Sequence, residues 1–339
     1  MGVPLKQATE SLENAVNTLF RDPKVRSVGI GKHEQGFGYF AVRNSAAIVP
    51  QAASVPAKTK AVAQIPVVFR DTPNEVEPHV KVPFSGPAKS GVASLVIEQK
   101  LFRPLCAGLQ IQNFDDDIRT NTIAGGHIII GTLGSFVRLS GGKGALLSNN
   151  HVVAGENRGK KGKDRIQQPG SGAFSASLHV ATLTDFVKIS PSPTGASVIA
   201  GTAILNLVDA GVAQILSGIK FGQGYHPTRA LPKPTGTASA KLGDKVFKVG
   251  RTTGLTRGVV VSIATTVGPI PYADGPSWFS RSIVIEGDNG TMFSDHGDSG
   301  SAIVRASGEI VGLLYAGNGQ QTYACPIDEV LKALKCTLF

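Results

Sequence analysis

The chain has 339 residues, of which 41% are hydrophobic and 17% charged; this is the texture of folded globular domains, not of a disordered polymer, and the length suffices for two or three of them. Its 41 glycines and 20 prolines favour a turn-rich, mainly β architecture over helical bundles. The formal net charge of +10 is modest at this length and comes without a basic stripe interleaved with stacking aromatics, so nucleic acid is not expected as a partner.

Three cysteines, Cys106, Cys325 and Cys336, are too few and too scattered for a disulfide framework or a zinc site; no metal and no cofactor are expected. The first residues carry no apolar signal core, Lys6 stands where a myristoylation signal wants Ser or Thr, and no apolar run is long enough to span a membrane. The expectation is a cytoplasmic protein that engages no membrane.

In chain order, Leu5, Ala8, Leu12, Val16 and Leu19 stand at helical spacing and predict an amphipathic helix over residues 5–20. Residues 25–31, 39–43 and 65–69 read as strands, so residues 1–95 are expected to form a small α/β domain. Within it, Gly29 and Gly31 lack the helix start and acidic partner of a dinucleotide site and read as a strand kink. From residue 96 the texture changes to short strands punctuated by glycine. Strands are expected at 128–137, 145–148, 179–183, 186–189 and 203–215. The Gly-Gly-Lys at 141–143 is a hairpin turn and not a phosphate loop, because Val137 and Gly144 stand where that motif needs glycine and a hydroxyl. After a Pro/Thr/Lys-rich linker at 227–241, a second set of strands covers 245–250, 258–265, 282–286, 302–304 and 310–315, and a short helix closes the chain at about 326–335. The fold class expected is therefore mainly β: two β-barrels, at about 120–220 and 240–325 within a domain spanning 96–339, preceded by the small α/β domain.

The chemistry centres on residues 294–301, Ser-Asp-His-Gly-Asp-Ser-Gly-Ser, which lead into an apolar strand. Ser299 between Gly297 and Gly300 suits a nucleophile on a tight turn, because glycine opens backbone conformations closed to other residues. The amides of Gly297 and Ser299 can then converge on the oxygen of an attacked carbonyl, where negative charge develops during acyl transfer. The base candidate is His151, which follows an apolar strand ending in Ser148-Asn149-Asn150. The orienting carboxylate is Asp209, set among small apolar residues, where burial of its charge costs several kcal/mol unless an imidazole N–H or similar partner meets it. Asp185 is the second candidate for that role. His296 is expected to line the cleft.

The order His151, Asp209, Ser299, together with Asn-Asn-His-Val-Val at 149–153 and Gly-Asp-Ser-Gly-Ser at 297–301, resembles the chymotrypsin/trypsin-like serine proteases over about residues 120–325. More narrowly, Gly-Thr-Leu-Gly at 131–134, Gln-Pro-Gly at 168–170, Gly-Arg-Thr-Thr-Gly-Leu-Thr at 250–256 and Gly-Leu-Leu-Tyr-Ala-Gly at 312–317 are similar to the narrow-leaf-type trypsin-like proteins of plants and their bacterial relatives. The resemblance implies a chymotrypsin-like double barrel and an endopeptidase with His151 as base, Asp209 as orienting acid, Ser299 as nucleophile, and Gly297 and Ser299 as oxyanion donors. It also implies that Tyr315, Ala316 and Gly317 pair with extended substrate by strand addition.

Two departures from that pattern carry meaning. The paired cysteines of secreted enzymes are absent, in keeping with a reducing compartment. Phe293 aligns with the position that carries trypsin's acidic specificity residue, so a small or apolar residue at the cleavage site is expected in place of Lys or Arg. The expected partners are a protein or peptide substrate and further copies of the chain. The basic run at 158–165 reads as a solvated loop, and the second reading is that it draws acidic substrates or an activating partner to the cleft rim. The alternative is a catalytically quiet scaffold of the same fold that binds partner proteins.

Overall fold

The computed structural model describes residues 2–34, 36–46, 61–62, 64–78, 81–83, 96–121, 127–171, 173–192 and 201–339. The helix expected over 5–20 is interrupted at Ser11 and forms α1 (Leu5–Glu10) and α2 (Leu12–Leu19). A hairpin of β1 (Val25–His33) and β2 (Gly36–Asn44) follows, then β3 (Ala61–Val62) and β4 (Ile65–Thr72), which runs parallel to β2. α2 buries Ala15, Val16 and Leu19 against Val25, Val28 and Tyr39 of the hairpin, because its apolar residues recur at helical spacing on one face. Two short strands come next, β5 (Glu77–Pro78) and β6 (Lys81–Pro83).

β7 (Leu105–Ala107) precedes the first barrel and lies outside its sheet; the barrel is built from β8 (Gln110–Asn113), β9 (His127–Thr132), β10 (Ser135–Leu139), β11 (Gly144–Ser148), β12 (Arg165–Gln167) and β13 (His179–Phe186), with helices α3 (Phe114–Arg119) and α4 (Asn150–Val153) between strands. The strand expected at 203–215 is split into β14 (Leu205–Asn206) and β15 (Gly211–Ile215). Strand order in this barrel is β10-β11-β15-β13-β12-β8-β9. β9 and β10 are joined by the link Leu133–Gly134, through which both neighbouring ladders continue: Leu133 N–H donates to Leu109 O (2.8 Å) and Gly134 N–H to Leu147 O (2.9 Å). Ile111, Phe136, Leu146, Ile166 and Leu183 fill the interior, each contributing roughly 1.5–3 kcal/mol through burial.

After β16 (Phe221–Tyr225) and β17 (Gly236–Thr237), the second barrel comprises β18 (Lys245–Gly250), β19 (Gly254–Tyr272), β20 (Gly275–Gly287), β21 (Ala302–Arg305), β22 (Glu309–Gly317) and β23 (Gln321–Pro326). These six form a closed ring, each paired antiparallel with the next from β18 round to β19, and β22 runs on past its pairing with β21, which ends at Leu313. α5 (Ile327–Ala333) then leads to β24 (Cys336–Leu338), which returns to pair with β10 of the first barrel.

The N-terminal strands do not form a sheet of their own. β1 pairs antiparallel with the distal half of β19, extending the second barrel's long hairpin outward. Gly29 sits in a bulge of that pairing, where a Cβ would lie 2.2 Å from Thr265 Oγ1, so the glycine serves close approach of two strands.

Candidate active site

His151 is the second residue of α4, immediately after the end of β11, and is fully buried. Asp209 is also fully buried, in the break between β14 and β15. β14 pairs with β20 of the second barrel while β15 pairs with β11 and β13 of the first, so the break spans the junction between barrels. The uniform strand expected there would have pointed Asp209 along a ladder. The break frees its backbone to be held from other directions: Asn149 donates to its carbonyl (2.7 Å), and its own N–H donates to Cys325 Sγ (3.3 Å).

The carboxylate of Asp209 meets three donors. His151 Nδ1 is hydrogen-bonded to Oδ2, the Tyr272 hydroxyl donates to the same oxygen (2.8 Å), and the His151 amide donates to Oδ1 (3.2 Å). A buried carboxylate needs such partners, and here the imidazole is one of them. Burial first, and then the neighbouring Asp209 carboxylate, push the Tyr272 hydroxyl well above its ordinary range, so it stays a protonated donor. Among the described residues, Nε2 of His151 has no hydrogen-bond partner. Asp185 is elsewhere, half exposed and 2.5 Å from Lys161 Nζ.

Ser299 is fully buried on the turn that precedes β21. Its hydroxyl donates to the carbonyl of Tyr315 (3.1 Å) on β22. Gly297 and Gly300 have φ of 95° and 90°, which only glycine adopts readily, and a Cβ on Gly300 would lie 2.2 Å from Ser148 Oγ. Among the described residues, neither the Gly297 nor the Ser299 amide donates to another protein group, so both remain available for an oxyanion. The turn is docked on the first barrel through Thr132: its N–H donates to Ser299 O (2.8 Å), its hydroxyl to Gly297 O (2.9 Å), and its carbonyl accepts from Ser148 Oγ (2.8 Å).

Asp298 is turned inward, away from the nucleophile's position. It accepts from Thr253 Oγ1 (2.6 Å) and from the amides of Thr252 (2.8 Å) and Asp295 (3.1 Å), and pairs with the fully buried Lys248 Nζ at 3.2 Å. Burial pushes its pKa up, but the Lys248 ammonium and these hydrogen bonds outweigh it and hold the carboxyl below its usual range. Lys248 also donates to Gly254 O (3.0 Å).

The remaining candidates are distributed as follows. Phe293 is 1% exposed and packs in the second barrel's core with Val260, Ile283 and Ile285. The Tyr315 side chain is buried and bonds Ser282 Oγ (2.8 Å). Ala316 and Gly317 pair antiparallel with Pro78 and Glu77 of β5. His296 lines a cavity of about 580 Å³ with Glu77, Pro78, Tyr272, Glu156 and Arg158. The basic run is largely neutralised: Arg158 pairs with Asp116 (3.1 Å), Arg165 with Asp115 (2.5 Å), and Lys161 with Asp185.

Sequence reasoning passed over Thr132, Lys248 and Tyr272. Lys248 carries a signal in retrospect, a lone charge inside the apolar strand Val246-Phe247-Lys248-Val249. Tyr272 carries none, because only the length of β19 brings it beneath Asp209. No group of three or more His, Cys, Asp or Glu among the described residues is arranged to hold a metal ion, and no helix among them is long and apolar enough to cross a membrane.

Two β-barrels meeting at a crevice, with His and Asp contributed at the junction by the first and Ser by the second, define a protein of the chymotrypsin-like double-barrel class. Residues 234–324 match the family described as the Nal1 C-terminal domain. Among solved structures, the chain is similar to Thermobifida fusca protease A at 20% identity, covering 62% of this chain and 91% of that one with a TM-score of 0.43. It is similar to Nocardiopsis protease at 15% identity, covering 69% and 97% with a TM-score of 0.45. A glutamic acid-specific serine protease, described as using a histidine triad in substrate binding, aligns at 18% identity over 69% and 100% with a TM-score of 0.45. No curated protein matches the chain.

Proposed function

We propose that the chain is a serine endopeptidase. The observation that carries this reading is the buried His151–Asp209 pair, in which the bond at Nδ1 fixes the ring and leaves Nε2 as the proton acceptor. In the reaction, the Ser299 hydroxyl rotates from the Tyr315 carbonyl toward Nε2, loses its proton to the imidazole and attacks the peptide carbonyl. The amides of Gly297 and Ser299 receive the oxyanion. His151 then returns the proton to the leaving amine, Asp209 stabilises the imidazolium, and water repeats the sequence to release the acyl group. Three buried, unpaired cysteines, with burial pushing the Cys106 thiol up to about 12, are inert thiols that suit a cytoplasmic setting.

A second reading, a quiet scaffold that binds partner proteins, draws support from the engagement of the Ser299 hydroxyl by Tyr315. A fluorophosphonate probe separates the two. Labelling of the wild type that is lost in Ser299→Ala is expected for the enzyme; absence of labelling with intact fold rejects it.

A further inference from the structure

Both His151 and Ser299 have no exposed surface, although an endopeptidase must admit a polypeptide to them. The element nearest the substrate's path belongs to the chain itself. On one side, residues 316–317 of β22 pair with β23; on the other, past the point where Leu314 bonds the nucleophile turn, the edge is taken by β5. That edge is where a substrate strand would add, because the Tyr315 carbonyl just before it holds the Ser299 hydroxyl.

The occupant is anchored from behind. Val76 is fully buried in the core, Asn74 donates to Asn318 O (3.0 Å), and Glu75 accepts from Arg26 Nη2 (2.6 Å). Ahead of it, β6 pairs antiparallel with β9 of the first barrel, Lys81 opposite Ile129. The chain therefore attaches to the second barrel at Ala316–Gly317 and to the first at β9, bracketing the crevice between them. Pro78 is buried and shares the 580 Å³ cavity with Tyr272 and His296.

We propose that Glu77–Pro78 is a built-in substrate mimic that keeps the site latent, and that the peptides it imitates carry a proline or similarly compact apolar residue in Pro78's place. This rests on the endopeptidase reading and adds its substrate class. A peptide laid on Gly317–Ala316 in the register of β5 sets its next residue opposite Tyr315, beside the Ser299 hydroxyl. The attacked carbonyl therefore belongs to the residue after the proline-like one. A substrate must displace the mimic, so its apparent affinity is reduced by the fraction of molecules in which the edge is open.

The test is a reversible lock in the full chain, Pro78→Cys with Ala316→Cys, since facing residues of an antiparallel pair lie within bridging distance. A small fluorophosphonate, which needs no strand addition, is expected to label Ser299 in both redox states. A peptidyl phosphonate with proline one residue before the phosphonate residue is expected to label the reduced protein about tenfold faster or more than the oxidised one, and to outpace its Pro→Asp analogue similarly. Equal peptidyl labelling in the two redox states, or of the two peptides, overturns the inference while leaving the endopeptidase standing. If neither probe labels any form, the endopeptidase reading fails, and binding decides the mimic alone. A fluorescent peptide of residues 72–78 must then bind Ser299→Ala carrying Glu77→Lys and Pro78→Asp about tenfold more tightly than Ser299→Ala itself; equal binding, or binding to neither, overturns the mimic.

Discussion

Lys248 Nζ lies 3.2 Å from Asp298 Oδ2, with both side chains without exposed surface, and Asp298 immediately precedes Ser299. An internal ammonium thus holds the carboxylate whose inward turn shapes the backbone of residues 297–299. Removing one member of a buried ion pair strands the other's charge, whereas removing both does not. Lys248→Met is expected to lower stability by about 3–5 kcal/mol, and Lys248→Met with Asp298→Asn to lose less than that single variant. Urea denaturation of the four proteins in the cycle checks this; a double variant less stable than Lys248→Met would refute the coupling.

The second prediction concerns the two donors on Asp209 Oδ2. Asp209→Asn presents an amide where the imidazole needs an acceptor, favours the wrong tautomer, and is expected to lower kcat on the order of 10⁴-fold. Tyr272→Phe removes one hydrogen bond to a buried charge, worth about 1.5–3 kcal/mol, and is expected to lower kcat about 10–100-fold with little change in KM. Steady-state kinetics on a peptide substrate decides both. A Tyr272→Phe effect carried by KM alone would reassign the hydroxyl to substrate binding.

The double barrel was legible because glycine punctuation and apolar runs are local properties. What escaped was non-local. The strand expected at 203–215 is mostly apolar and carries no local sign of a break; the break at Asp209 arises because β14 is drawn to β20 and β15 to β11. The separate α/β domain expected at 1–95 instead shares a sheet with β19, a strand that overruns the barrel by half its length. Alignment of Phe293 with a specificity position fixes its place in the chain but not the direction of its ring, which packs in the second barrel's core. The basic run at 158–165 reads as open charge because Asp116 lies 42 residues before Arg158 and Asp115 lies 50 residues before Arg165.

A third prediction follows from Asp117, whose carboxyl accepts from Gln112 Nε2 (2.6 Å) and from the Ile129 amide (2.9 Å) beneath β9. Burial dominates these hydrogen bonds and pushes it up to about 7. The folded state then holds a proton that the unfolded chain has already released above about pH 4, so stability falls as pH rises through that window, by about 1.4 kcal/mol per unit. The loss is complete above the folded value. Wild type is therefore expected to lose stability relative to Asp117→Asn between pH 5 and pH 7 and to run parallel to it above pH 8, read from urea midpoints at each pH. A difference that stays constant across the window would remove the carboxyl as its source.

The last prediction tests how closely the barrels must approach for chemistry. Gly131, the penultimate residue of β9, lies where an added Cβ would meet Val152 Cγ2 at 2.4 Å and Ser299 O at 2.9 Å. Val152 follows the base and Ser299 is the nucleophile, so one methyl group at position 131 pushes on both at once. The neighbouring Thr132, which ties the nucleophile turn to β9 through Ser299 O and Gly297 O, transmits the same displacement. Val152 belongs to the first barrel's core, and relieving a 2.4 Å approach takes a shift on the order of 1 Å, so overpacking is expected to cost about 1–3 kcal/mol while the fold persists. Misplacement on the order of 1 Å between base and nucleophile costs about 10²-fold in rate. Gly131→Ala is thus expected to keep its circular dichroism and cooperative unfolding while losing about 10²-fold in kcat and most of its fluorophosphonate labelling rate. Full activity in that variant would mean that base and nucleophile are set by contacts other than the β9 interface.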